Sequence, residues 1–185
     1  MTRGPKKYKK YTTAYKKRVD VETDTYLPRW SPPGLLYCKG CGAVYYRRRW
    51  TLTPPDEIRD KVEFGNGVSA SLCPACRKVS DQYPSGELRM LGVSPQETRE
   101  LFRLLRNEEA RAREKNPLER IMRIEADHGG WRIETTTEKL AQRLGRSLHK
   151  ARGGKVSYQW SHNNKFVRVL WRNRSVSRPV KGAAK

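Results

Sequence analysis

The sequence predicts an α+β protein: a small four-cysteine ribbon, then a ferredoxin-like domain ordered β-α-β-β-α-β with an extra terminal strand, between basic N- and C-terminal tails. Three observations carry that expectation. The four cysteines fall in two close pairs, Cys38/Cys41 and Cys73/Cys76. From about Asp81, helix start and stop signals alternate with β-like runs. The charge is divided: Met1 to Val19 holds eight Lys or Arg and no acid, Lys139 to Lys185 holds thirteen and no acid, and all nineteen acids lie between, balanced by nineteen bases. The expected boundaries are a basic flexible arm over 1–30, the ribbon over 31–80, the αβ domain over 81–172 and a basic tail over 173–185.

A chain of 185 residues has room for one ordinary domain and a small module, which argues against a large two-lobed enzyme. No stretch approaches the roughly 20 apolar residues that cross a bilayer, and the N-terminus lacks the apolar core of a secretory signal. A soluble, cytoplasmic protein is expected. Its net charge of +21 exceeds what solubility needs, and its placement suits a protein that lays both ends on a polyanion.

In the arm, Lys6, Lys7, Lys9 and Lys10 interleave with Tyr8, Tyr11 and Tyr15. Lysine neutralises phosphate and tyrosine stacks on exposed bases, which suits irregular or single-stranded RNA. The competing reading is a solubilising tail. Leu27-Pro28 and Ser31 to Gly34 mark the linker into the ribbon.

Strands are expected at Leu35–Tyr37, Ala43–Trp50 and Gly67–Leu72, so that each C-x-x-C lies at a turn. In a reducing compartment such pairs serve better as ligands than as disulfides. Four thiolates around one structural Zn²⁺ fit the spacing, because two intervening residues let one tight turn present both sulfurs to a tetrahedral ion. Gly40 and Gly42, and Pro74 with Ala75, supply those turns; Lys39, Arg77 and Lys78 stand where they could offset the negative charge. A redox dithiol at Cys73-Pro74-Ala75-Cys76 is the rival, but it leaves the other pair unexplained. Arg47, Arg48 and Arg49 would place charge on both faces of a strand, so they are expected at an exposed edge or finger tip that contacts nucleic acid, or at a merely solvated hairpin tip.

In the αβ domain, Glu87–Leu91 reads as a strand. Ser94-Pro95-Gln96-Glu97 supplies an N-cap, a first-turn proline and a capping-box acid for a helix running to about Lys115, stopped at Asn116-Pro117. Leu118–Ala126 and Trp131–Thr135 follow as strands joined through Asp127 to Gly130. Thr135 and Glu138 read as a second capping box, for a helix to about Arg152 that ends at Gly153-Gly154. Val156–Ser161 and Lys165–Trp171 are the last strands, around His162-Asn163-Asn164. The expected sheet is antiparallel with helices on one face.

On the second helix Lys139, Arg143, Arg146 and Lys150 share one face, separate from the apolar stripe of Leu140, Leu144, Leu148 and Ala151. That is a line of cations able to follow a few phosphates. Arg168, Arg172, Arg174 and Arg178 continue the charge. Tyr158, Trp160 and Trp171 read as packing aromatics; Phe166, sharing strand parity with Arg168, is the best exception.

The segments LLYCKGCGAVYYRRRW and SLCPACRK resemble the zinc-binding N-terminal part of the adaptor family that exports the large ribosomal subunit. Cys38 to Trp171 as a whole is similar to a group of uncharacterised bacterial zinc-ribbon proteins. The chain departs from the adaptors in lacking further C-x-x-C pairs and a leucine-rich export tail, so export is not implied. The resemblance implies binding to ribosomes or ribosomal RNA, with Cys38, Cys41, Cys73 and Cys76 as metal ligands and the nearby arginines as contacts.

The expected function is therefore a non-catalytic RNA-binding protein of the translation apparatus, ribosome-associated in assembly, in dormancy or as a component. Its partner would be ribosomal or other structured RNA, not a membrane or a small-molecule substrate. A DNA-binding or transcription-associated zinc ribbon is the alternative, although no helix presents base-reading residues in a helix-turn-helix context. An enzyme using Glu125, Asp127 and His128 is a third reading, weakened because that trio lies at a hairpin end where acids and histidine serve turns.

Overall fold

The computed structural model describes residues 34–161 and 166–174, together with Tyr26 and Pro32. The arm expected over 1–30, Tyr26 apart, lies outside the described residues, as do 31 and 33, the turn at 162–165 and the tail beyond 174.

The N-terminal part builds a four-stranded sheet from β1 (Leu35–Cys38), β2 (Val44–Tyr46), β3 (Arg49–Thr51) and β4 (Val68–Ser71), in the order β3-β2-β1-β4. β1 to β3 are antiparallel, and β4 adds beside β1 in parallel. A parallel neighbour needs a crossover, and α1 (Asp56–Glu63) lies on it. α1 begins with acids at Asp56 and Glu57 and has Lys61 in its last turn, as the helix dipole favours. After β4 comes α2 (Pro74–Ser80), capped by Cys73 and opened by a proline. Neither α1 nor α2 was expected, and the second cysteine pair sits at a strand-to-helix junction, where only a turn was expected.

The larger sheet contains β5 (Gly86–Leu91), β6 (Ile121–Asp127), β7 (Gly130–Thr135), β8 (Lys155–Trp160) and β9 (Val167–Arg172), in the order β6-β7-β5-β9-β8. Two helices join them, α3 (Pro95–Lys115) and α4 (Glu138–Arg152). The order of elements along the chain follows the expectation. The sheet is mixed where an antiparallel one was expected, because β9 runs parallel to β5. After α4 the chain first forms the edge strand β8, then returns as β9 to fill the place beside β5.

The capping box of α3 forms as expected: Ser94 Oγ accepts from the Glu97 N–H, and the Glu97 carboxylate accepts from the Ser94 N–H. For α4 the cap is Thr137, whose hydroxyl oxygen accepts from the Leu140 N–H at 3.2 Å. Thr135 is buried instead, and its hydroxyl donates to the Gly86 and Thr137 carbonyls.

Both helices lie on one face of the larger sheet. Leu101, Leu105 and Ala112 of α3 and Leu140, Leu144 and Leu148 of α4 meet Leu88, Met90, Ile133, Val169 and Trp171 in one buried core. Each large apolar side chain so removed from water contributes roughly 1.5–3 kcal/mol as an upper bound. Gly145 lets α4 approach closely, since a Cβ there would lie 2.6 Å from Val169 Cγ1.

Candidate functional site

The four cysteine thiols converge between β1, the first knuckle and the start of α2. Their sulfurs all lie within 4.8 Å of one another. A tetrahedral ion with metal–sulfur bonds near 2.3 Å sets sulfurs about 3.8 Å apart, and Cys41 Sγ lies 3.7 Å from Cys73 Sγ. All four are free thiols. Cys38 and Cys73 are fully buried, packed with Ala43 and Ala75, and Trp50 and Leu118 close the cluster. The donor set, its spacing and its enclosure fit a closed metal site.

The local backbone is shaped around the sulfurs. The Cys73 N–H donates to Cys38 Sγ at 3.2 Å and the Cys76 N–H to Cys73 Sγ at 3.4 Å. Gly40 is required by space, because a Cβ would lie 2.8 Å from Cys76 Sγ. Burial opposes ionisation of Cys38, but hydrogen bonds from the Cys73 and Gly40 backbone outweigh it and bring its pKa down to about 7. Burial pushes the Cys73 and Cys76 thiols up. Four thiolates in so small a volume need a compensating cation.

One compensating cation comes from the larger domain. Arg120, in the segment between α3 and β6, donates from its guanidinium to Cys76 Sγ at 3.0 Å. Sequence reasoning missed it, since it lies 44 residues from Cys76 and no local pattern marks it. Lys78 is buried and donates to Ser85 Oγ and the Thr136 carbonyl, with its ammonium 5.6 Å from the Tyr26 ring. Tyr26 also stacks against Tyr83 and donates to Asp81. Arg77 reaches Ser71 Oγ at 3.4 Å.

Arg47 and Arg48 form the two-residue turn between β2 and β3, with φ of +47° and +65°. Arg49 begins β3, exposed. The Arg47 guanidinium lies 5.1 Å from the Tyr46 ring centre.

The line of cations expected on α4 is interrupted. Arg143 forms ion pairs with Glu108 of α3 at 2.9 Å and with Glu119 at 3.5 Å, and its side chain is only 30% exposed. It ties α3 to α4. Lys139, Arg146 and Lys150 are exposed and make no ion pair among the described residues. Lys139, Gln142, Arg143 and Arg146 line, with Glu119, an open cleft of about 270 Å³.

On the face of the larger sheet away from the helices, charge is segregated. Toward β6, β7 and β5, arginines meet acids: Arg89 with Asp127 and Glu87, Arg123 with Glu125, Arg132 with Glu125. Glu125 and Asp127 are thereby engaged, and His128 stands exposed at the turn beside Asp127. Toward β9 and β8, Lys155, Arg168 and Arg172 are exposed and make no ion pair among the described residues. Arg168 lies 5.0 Å from the Phe166 ring, and Arg174 follows, exposed. Trp171 is core, whereas Tyr158 and Trp160, read as packing aromatics, are exposed. Lys6, Lys7, Lys9, Lys10, Tyr8, Tyr11, Tyr15 and Arg178 lie outside the described residues.

No family model, curated protein or solved structure matches the chain. Among the described residues no helix is long and apolar enough to cross a membrane.

Proposed function

We propose that the chain is a non-catalytic RNA-binding protein of the translation apparatus, acting in the cytoplasm on ribosomal RNA, with one structural Zn²⁺ held by Cys38, Cys41, Cys73 and Cys76. The observation that carries the RNA reading is the one-sided charge around the β8 edge. Lys139, Arg146 and Lys150 flank it on the helix side, Lys155, Arg168 and Arg172 on the other, while Glu87, Glu108, Glu119, Glu125 and Asp127 are paired with other arginines. The acid-free end segments extend the same bias. Such one-sign surfaces track phosphate backbones.

A four-sulfur tetrahedral set selects zinc or iron–sulfur chemistry, and a closed site with all four positions taken by protein is structural. Zinc content near one per chain, with no visible absorption, would support the assignment; a coloured protein containing iron would overturn it. Engagement of Glu125 and Asp127 by arginines argues against their use as a catalytic pair. The ribosomal assignment rests on the resemblance of the cysteine segments to the zinc-binding N-terminal part of the adaptors that export the large ribosomal subunit. Sedimentation of a cell lysate through sucrose at low and high salt tests it. Co-migration with one ribosomal particle, stripped by salt, is expected, and absence from every ribosomal peak at low salt would refute it.

A further inference from the structure

The β8 edge carries more than charge. Tyr158 and Trp160 stand on the helix-bearing side of β8, paired across the ladder with Val169 and Val167, both of which are buried. α4 covers the start of this row, where Gly145 packs over Val156 and Val169. Farther along β8 the two rings emerge, 41% and 50% exposed. Neither makes a ring contact among the described residues.

We propose that this edge binds a single-stranded stretch of RNA, two neighbouring bases lying on Tyr158 and Trp160 while their phosphates run past Arg146 and Lys139. The proposal rests on the RNA-binding reading above and adds the form of the RNA and the residues that hold its bases. Alternate residues of a strand are about 6.8 Å apart, so each ring can take one base of an extended strand but not two bases of a stacked helix. Arg146 is close enough to Tyr158 to act on its hydroxyl, opposing the rise that burial causes. In the cleft lined by Glu119, Lys139, Gln142, Arg143 and Arg146, Arg143 is held by Glu108 and Glu119, which leaves Lys139 and Arg146 as its exposed cations.

The charge around the rings decides the occupant. A second copy joining edge to edge would bring Lys139, Arg146, Lys155 and Arg172 against the same four cations of its partner. A polyanion with flat, unpaired bases satisfies both the cations and the rings.

The test uses the full-length, metal-loaded protein with a ten-nucleotide uridine strand, a blunt RNA duplex and a ten-nucleotide thymidine DNA strand. Y158A/W160A should weaken binding of the uridine strand by about tenfold or more, because two bases lose their stacking platforms. It should leave the duplex affinity and the salt slope nearly unchanged. W160F, which keeps a ring, should restore most of the loss seen in W160A. Equal uridine-strand binding by Y158A/W160A and the parent would overturn the proposal, as would an equal loss on the duplex or tighter binding of the DNA strand. A concentration-dependent dimer of the parent, abolished in Y158A/W160A, would assign the edge to a second copy and also overturn it. If the parent binds none of the RNAs, nor ribosomes, the broader RNA reading fails with it; if it binds ribosomes but not the uridine strand, only the present proposal fails.

Discussion

The hairpin tip offers a direct measure of stability set against function. Arg47 and Arg48 occupy a two-residue turn in which both have positive φ, the geometry of a type I′ turn, which asparagine and glycine favour. An ordinary L-residue in this region costs roughly 1–2 kcal/mol, whereas asparagine tolerates it and glycine meets no Cβ clash. R47N/R48G should therefore relieve roughly 2–3 kcal/mol, less about 0.5–1 kcal/mol for taking the Arg47 guanidinium away from the Tyr46 ring. At about 2–4 °C per kcal/mol for a chain of this size, the net gain of roughly 1–2.5 kcal/mol should raise melting by roughly 2–10 °C. Removing two cations should also lower the dependence of log affinity on log salt by about 0.7–0.9 for each phosphate left without its cation. Thermal melting and RNA binding across a salt series read both quantities in one preparation. An unchanged or lower melting point would refute the strain argument. A higher melting point with unchanged affinity and slope would refute the idea that the arginines are kept at the tip for a polyanion.

Gly40→Ala should place a Cβ 2.8 Å from Cys76 Sγ, against ordinary contact distances of about 3.5–4.0 Å; a fivefold or greater loss of metal affinity in chelator competition is expected, and an unchanged affinity would contradict the cluster geometry. Arg120→Met keeps bulk but removes the donor to Cys76, and metal affinity should fall by about tenfold; the absorption of the Co²⁺-substituted protein reports whether all four sulfurs still bind. Arg143→Ala, which breaks the link to Glu108 and Glu119, should lower stability by about 1 kcal/mol, whereas Arg146→Ala should leave melting unchanged and weaken RNA binding; the reverse pattern would return Arg143 to the contact surface. Chelation of the metal should raise hydrogen exchange at residues 118–120 before it reaches β5 and β9, whose core is a separate apolar cluster; simultaneous loss everywhere would show one cooperative unit.

The sequence made some of this legible for physical reasons and hid the rest. Ser94, Pro95 and Glu97 identify the start of α3 because the capping box is local, closing within four residues. The cysteine pairs identify a ligand cluster because spacing alone restricts tetrahedral chemistry. By contrast α1 and α2 span only eight and seven residues, too short for periodicity, and Pro74 reads as a turn residue although proline also suits the first position of a helix. The wheel of α4 places Arg143 beside Lys139 and Arg146, but only the packing of α3 brings Glu108 and Glu119 against it. Strand alternation puts Tyr158 and Trp160 on the helix side, and it cannot tell where α4 stops covering that row. Element order also leaves open which strand of the last hairpin lies beside β5, and so whether the sheet is mixed.

The cysteine cluster and the cations of α4 are linked through the segment 118–120. Arg120 meets Cys76 through its guanidinium, while its own backbone N–H donates to the Thr136 hydroxyl at 2.8 Å, and that hydroxyl donates to the Leu118 carbonyl at 2.6 Å. Leu118 packs on the cysteine cluster, and Glu119, between the two, holds Arg143 on α4. Three consecutive residues thus connect the cysteine cluster to the helix that bears Lys139 and Arg146, beside the contacts of Lys78 with Ser85 and Thr136. A rigid link of this kind matters for a ligand that touches both the Arg47–Arg48 tip and that helix, because two weak contacts held at fixed separation act as one strong one. Arg120→Met should consequently weaken binding of a long structured RNA more than that of a ten-nucleotide strand, although Arg120 itself lies at neither surface. An equal loss on both RNAs would mean that the two surfaces act independently and that Arg120 serves the metal site alone.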